Sequence, residues 1–270
     1  MIAVRRATER LHDKSARQEK WVTFDPQDRA DPLADGFGAL EILNEVRLGP
    51  GASVPRHTSQ EAEILTYVHE GVLAYEDSIG HSGVMQAGEF QRVTSGHGLR
   101  HSQMNASRSE WAHFFQLWLH PSAAELEPEH VQKRFSAAER RCGLCVVASP
   151  DARRSSLRIH RDVLVYSALL DPGQHLVHEL SPGRSAWLHM VHGEVILGDL
   201  MLTAGDGVGF TAERAVSLTA TVKSEVLLVN LGDRASQPVA ESGSPPKPRG
   251  LKRPSPPFIL TGAAARSDGR

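Results

Sequence analysis

The sequence predicts an all-β protein built as two β-barrels in one chain. Three observations carry this: short runs rich in β-branched and aromatic residues, turn formers between them at hairpin-like intervals, and an internal repeat. Helical periodicity is nearly absent ahead of residue 232. In chain order the strand-like runs are Leu40–Val46, Ile64–Val68, Val72–Tyr75, Phe114–Leu119, Cys145–Val147, Leu164–Leu170, Trp187–Val191, Val195–Leu197 and Val226–Leu231. Many evenly spaced short strands imply a sandwich or barrel, and closure is the surest way to remove unpaired edges.

The repeat sharpens this to two copies of one module. Leu48-Gly-Pro-Gly51 recurs as Leu170-Asp-Pro-Gly173, Tyr67-Val-His-Glu-Gly71 as Met190-Val-His-Gly193, and Ala87-Gly-Glu89 as Ala204-Gly-Asp206. Pro50 to Val68 spans 18 residues and Pro172 to Val191 spans 19, so spacing persists with identity. Pro-Gly supplies a turn, Val-His-Gly ends a strand where positive φ is tolerated, and Ala-Gly-Asp/Glu opens the next hairpin. The expected organisation is an N-terminal barrel over 1–135, a C-terminal barrel over 136–231 and a tail over 232–270. The tail carries seven of the 16 prolines and seven basic residues against three acidic. Such a stretch buries too little apolar surface to offset its ordering entropy, so disorder is expected there.

Composition narrows the partners. The 270 residues hold 30 Lys plus Arg against 32 Asp plus Glu, which makes no field demanding nucleic acid or an anionic membrane. No run reaches the roughly 18 apolar residues of a spanning helix, and Met1-Ile-Ala-Val-Arg-Arg lacks the apolar segment of a secretory signal, so a cytoplasmic location is expected. The two cysteines, Cys142 and Cys145, have the spacing of a redox dithiol or half a zinc site. A zinc site needs a second ligand pair and a redox pair usually opens a helix, whereas Val-Val-Ala after Cys145 reads as strand. The pair is read as structural. Nucleophile elbows, Walker loops, dinucleotide fingerprints and His-Glu-x-x-His helices are not found in the sequence.

Four further segments point to a family. Asp31-Pro-Leu-Ala-Asp-Gly-Phe-Gly-Ala-Leu-Glu-Ile-Leu-Asn-Glu45, Glu63-Ile-Leu-Thr-Tyr-Val-His-Glu-Gly71, Gly96-His-Gly-Leu-Arg-His-Ser102 and Ala148-Ser-Pro-Asp-Ala-Arg153 together resemble the pirin family, in order, from about residue 2 to 231. The resemblance implies a bicupin, two double-stranded β-helix (jelly-roll) barrels, with one divalent metal ion, usually iron, in the N-terminal barrel. Some bacterial relatives resemble flavonol (quercetin) 2,3-dioxygenases, and animal members act as redox-sensitive coregulators of transcription.

Family members hold the metal with His-x-His on one strand and His-x-Glu on a later one; alternate residues share a side, so both pairs project into the barrel. Carried over by position, His57 stands first and His101 third, but Ser59 occupies the second position and Gln103 the fourth. A serine hydroxyl is a poor ligand unless ionised, and an amide cannot offset the ion's charge. A rescue is open, because the general cupin pattern Gly-x5-His-x-His-x3-4-Glu keeps Gly51, His57 and Glu63 in register and is followed by His101-x3-Asn105. His57, Glu63 and His101 would then form a two-His, one-carboxylate set. Alternatively Glu63 is a pocket wall or salt-bridge partner, and His97 is a further donor or a loop residue. In the C-terminal copy His178 falls near the register of His57, His175 precedes it by three, and no histidine follows Asp206, so that barrel is read as structural.

Two functional readings follow. One is a non-catalytic or weakly metal-binding regulator, or small-molecule binder, engaging a small-molecule ligand or a protein partner, with no direct nucleic-acid or membrane contact. The alternative is a metal-dependent, flavonol 2,3-dioxygenase-like oxygenase.

Overall fold

A computed structural model of the protein describes residues 1–120 and 126–232, with His57 described by its backbone alone. The predicted tail lies, beyond Gly232, outside the described residues. Four sheets dominate. In the N-terminal half a seven-stranded antiparallel sheet runs in the order Glu129–Arg134, Glu89–Thr94, Glu63–Glu70, Ala112–Leu119, Leu40–Leu48, Gln18–Val22, Leu11–Lys14. It packs on a four-stranded sheet, Ser53–Ser59, Leu99–Asn105, Val72–Asp77, Ser82–Gln86.

The C-terminal half repeats the plan. Its larger sheet runs Ile2–Arg5, Gly207–Thr211, Ser185–His192, Ser224–Leu231, Val163–Leu170, Cys145–Ser149, Leu157–Arg158, and its smaller one His175–Glu179, Ala215–Ala220, Glu194–Leu197, Leu200–Thr203. The expected bicupin, two jelly rolls in one chain, is thus the architecture found. The first strand, Ile2–Arg5, joins the sheet of the second barrel through Gly207–Thr211 and ties the N-terminus across the molecule.

The sequence repeat marks equivalent turns in both barrels. Gly71 and Gly193 close the paired Val-His motifs at φ of +76° and +82°. A Cβ there would sit 2.5 Å from the Trp111 carbonyl oxygen and 2.4 Å from that of Lys223, so both positions admit only glycine.

The two large sheets pack back to back. In Glu63–Glu70, Ile64, Thr66 and Val68 turn into the barrel, while Leu65 and Tyr67 turn outward. There they meet Phe115 and Leu117 of the same sheet and Val163, Val165, Trp187, Leu227 and Val229 of the second barrel. Strands buried on both faces lose apolar–polar alternation, which is why these read as unbroken apolar runs. The barrel interiors differ. That of the second is apolar, filled by residues such as Leu188, Met190, Phe210, Val226 and Leu228. That of the first is apolar at one end, around Val46, Leu48, Val68, Met85 and Phe114, while Asn44, Thr66, Gln91, Gln103 and Gln116 are buried beyond it.

Buried charge crosses the seam. The short helix Ala137–Arg141 is set by a capping box in which Ser136 Oγ accepts from the Glu139 amide and the Glu139 carboxylate accepts from the Ser136 amide. It delivers Arg140 to Glu225, with Arg140 Nε donating to Ser167 Oγ at 3.0 Å and the guanidinium lying 5.0 Å from the centre of the Tyr67 ring. His69 Nδ1 reaches the other Glu225 oxygen at 3.1 Å. Nearby, Glu45 pairs with Arg10 at 2.6 Å and His113 at 2.9 Å. Burial opposes ionisation of Glu45, but those two partners outweigh it and hold its pKa down to about 2.

His189 also faces the seam, fully buried, and neither ring nitrogen has a hydrogen-bond partner. Burial, helped by the Arg10 charge, pushes its pKa down to about 3. Its folded pKa lies below the ordinary value near 6.5, so the unfolded chain takes up the proton first. Stability is therefore lost as pH falls from about 6.5 toward 3, at about 1.4 kcal/mol per pH unit from this residue. His189→Leu is expected to flatten that slope between pH 6.5 and 4.5 and to add about 1–3 kcal/mol at neutral pH by removing unsatisfied polar atoms. Urea unfolding across that pH range measures both; an unchanged slope contradicts the assignment.

Candidate functional site

The small sheet of the first barrel carries the site. Along Leu99–Asn105 burial alternates: Leu99, His101, Gln103 and Asn105 are buried, Arg100 and Met104 exposed. His101 thus sits one rung from Gln103 on the inward face, and across the sheet it is in register with His57 on one side and Asp77 on the other. The Ser78 amide bonds to the Arg100 carbonyl at 2.8 Å and the Ala106 amide to Val72 at 3.1 Å. The intervening His101–Asp77 and Gln103–Tyr75 pairs are therefore the close, non-hydrogen-bonded kind, which bring side chains nearest each other.

The family positions are placed as follows. His101 is buried in the cavity wall. Gln103 is buried and its Oε1 accepts from Gln116 Nε2 at 3.0 Å. Ser59 is buried, its hydroxyl donating to the Leu99 carbonyl at 3.4 Å. The backbone of His57 pairs with that of His101, and its side chain lies outside the described residues. Asn105, the end of the His101-x3-Asn105 pattern, is structural, its Nδ2 donating to the carbonyls of Leu48, Gly49 and Glu110 at 2.8–3.1 Å.

Glu63 requires a correction. It shares the outward phase of Leu65 and Tyr67, and its carboxylate accepts from the His160 amide at 2.7 Å and lies 2.8 Å from His160 Nδ1. It clamps the loop between Leu157–Arg158 and Val163–Leu170 of the second barrel and lies on the opposite face of its sheet from the His101 cavity, so it does not complete a two-His, one-carboxylate set with His101. The salt-bridge reading of Glu63 is the one the geometry supports. His97 is exposed in its turn.

The residues at the family positions, two histidines, a serine and a glutamine, lack the third imidazole and the carboxylate with which the family holds its ion. Both changed groups are neutral, and both are engaged with other protein groups. The enclosed space beside His101 is about 20 Å³, lined by residues including Thr66, Tyr75, Asp77, Gln91, Gln103 and Gln116. That is room for about one water, far below the roughly 300–1,000 Å³ of a typical organic-ligand pocket. Gln91 is buried there with Nε2 unpartnered, a donor left for a small polar guest.

The second barrel offers no equivalent. His178 Nε2 lies 2.8 Å from Asn230 Nδ2, burial lowers its pKa, and His175 bonds Thr219 and Ser217. Both cysteines are free; Cys142 is exposed at the end of the short helix, and burial pushes the Cys145 thiol up, away from reactive thiolate character. Sequence reasoning missed Gln91, Gln116, Asp77 and His130, which come to the cavity from four other strands. Only Asp77-Ser-Ile-Gly-His81 carried a local signal, as a turn with two metal-capable side chains.

These features define a bicupin with one barrel of apolar interior and one whose small sheet presents a polar, histidine-bearing cavity. The family model for pirin matches residues 4–119, and that for a quercetinase C-terminal cupin domain matches residues 146–231. A quercetin 2,3-dioxygenase of Escherichia coli K12 is 36% identical over 231 residues, covering 86% of this chain and 99% of that protein. A putative quercetin 2,3-dioxygenase of Pasteurella multocida is 31% identical over 237 residues, covering 86% and 100%. Among solved structures, the bacterial pirin YhhW from Escherichia coli in complex with nickel(II) is 36% identical, covers 86% of this chain and all of that chain, and superposes with a TM-score of 0.80. The chain belongs to the pirin family.

Proposed function

We propose that this pirin-family bicupin is a binding protein, whose N-terminal barrel receives a small polar ligand and holds a metal at the family position weakly or not at all. The observation that carries the reading is the pair of hydrogen bonds at the changed positions, Gln116 to Gln103 and Ser59 to the Leu99 carbonyl. Each changed group is neutral and already tied to a protein neighbour, so neither offers an ion the charge or the imidazole that the family position otherwise supplies. His101 and Gln91 on the cavity wall supply imidazole and amide to a guest, and the tight interior selects for small size. The same reading gives the chain a small-molecule ligand or protein partner as its functional counterpart, in a cytoplasmic setting. No described helix is long and apolar enough to cross a membrane.

A second reading, a metal-dependent quercetin 2,3-dioxygenase-like oxygenase, is favoured by the names of the E. coli and P. multocida relatives and by the nickel(II) bound to YhhW. Oxygen uptake separates the two. With quercetin in air and Fe(II), Mn(II), Ni(II) or Cu(II) added in turn, the expected uptake equals the protein-free rate; uptake above it that disappears in His101→Ala establishes the oxygenase instead.

A further inference from the structure

At the rim of the same barrel, where Asp77 stands across the strand pair from His101, three metal-capable side chains converge. Asp77 ends the strand Val72–Asp77, His81 closes the turn that follows, and His130 lies on the strand Glu129–Arg134 of the opposite sheet. One ligand atom from each lies within 4.8 Å of the other two.

The three are prepared differently. Asp77 Oδ1 accepts from the amides of Ile79 and His81 at 3.0 and 2.9 Å, which fixes the carboxylate and leaves Oδ2 facing His81 Nδ1 at 3.1 Å. His130 Nε2 is buried without a hydrogen-bond partner, while its ring packs on Tyr75 at 4.6 Å and faces His81 at 5.4 Å. Asp77 is buried and His81 half exposed, so the cluster has a solvent entrance on one side and the His101 cavity on the other.

We propose that Asp77, His81 and His130 form a site for a divalent first-row transition ion, linking the two sheets of the N-terminal barrel at its mouth. Two imidazoles and one carboxylate suit zinc, cobalt or nickel and leave a coordination position open. The carboxylate is what the family position lacks, since Gln103 has replaced an ionisable group there. A bound ion takes the place of the direct Asp77 Oδ2–His81 Nδ1 contact and gives the His130 imidazole a partner. The site stands whether or not the cavity receives an organic ligand.

The test is titration of the chelator-stripped full chain with Zn(II) by calorimetry and with Co(II) by visible absorption, on wild type, Asp77→Asn, His130→Gln and His101→Ala. Asp77→Asn keeps the Oδ1 bonds that fold the turn, and His130→Gln covers the case in which it fails to fold. One ion per wild-type chain is expected, with affinity at least tenfold weaker in Asp77→Asn and His130→Gln and a smaller loss in His101→Ala, whose imidazole is not one of the three ligands. No saturable binding by the wild type overturns the proposal. So does binding that survives Asp77→Asn and His130→Gln but is lost in His101→Ala, which puts the ion at the family position.

Discussion

Gln103→Glu combined with Ser59→His is expected to turn a weak site into one that holds a transition ion at the family position. Gln103→Glu is nearly isosteric, and Gln116 Nε2, already 3.0 Å from Oε1, continues to donate to the new carboxylate and holds it in place. Without metal this single change buries a charge, so the variant is expected to be less stable than wild type. Adding Ser59→His supplies an imidazole on the rung next to His101, at some packing cost because Ser59 is buried. Affinity for Ni(II) is expected to rise by more than the roughly 10–100-fold that outer-shell partners alone are worth. The rise registers as thermal stabilisation, about 2.7 kcal/mol once the ion is 100-fold above its Kd. Wild type, titrated alongside in the Asp77→Asn background, should show no such shift. An equal shift in both proteins means that Ser59 and Gln103 had not weakened the site.

Arg140→Met is expected to give the largest loss of stability, about 3–5 kcal/mol in urea unfolding. Arg140 and Glu225 are both almost fully buried, and burial of the carboxylate is outweighed by His69 and Arg140, which keep its pKa low. Removing the guanidinium strands that charge in the seam, leaves Ser167 Oγ without its donor and strips the cation from the Tyr67 face. The double change Arg140→Met with Glu225→Met should recover most of the loss, because an apolar pair needs no compensation for desolvation. A double variant as unstable as the single one would mean that Arg140 acts through packing against Tyr67 and Phe90 and not through the ion pair.

All nine apolar runs are strands in the structure, and the three repeated motifs fall at matching turns of the two barrels. Those elements announce themselves because they are buried on one or both faces. Strands such as Ser53–Ser59 and Leu99–Asn105 are poor in branched residues and polar on the inward side, the reverse of a core strand; their pairing partners define them. The cupin motif nonetheless located His101 and Gln103 on the correct face. Glu63 stayed open between ligand and salt-bridge partner because Glu63–Glu70 is apolar on both faces, and nothing in its period tells which side is barrel and which is seam. His130 of the rim cluster and the Arg140–Glu225 pair stayed hidden since His130 lies 49 residues after His81 and Glu225 lies 85 after Arg140. Local pattern carries no information on such contacts.

Metal content tests the central claim most directly, measured by plasma mass spectrometry on untagged full-length protein beside the His57→Ala/His101→Ala double variant, after both have been incubated with Fe(II), Mn(II), Ni(II) or Cu(II) and desalted. If the family position has ceased to hold an ion, the two proteins carry the same amount of each metal per chain. Near-stoichiometric metal in the wild type that vanishes when both histidines are removed contradicts the account and returns the chain to the metal-dependent oxygenases.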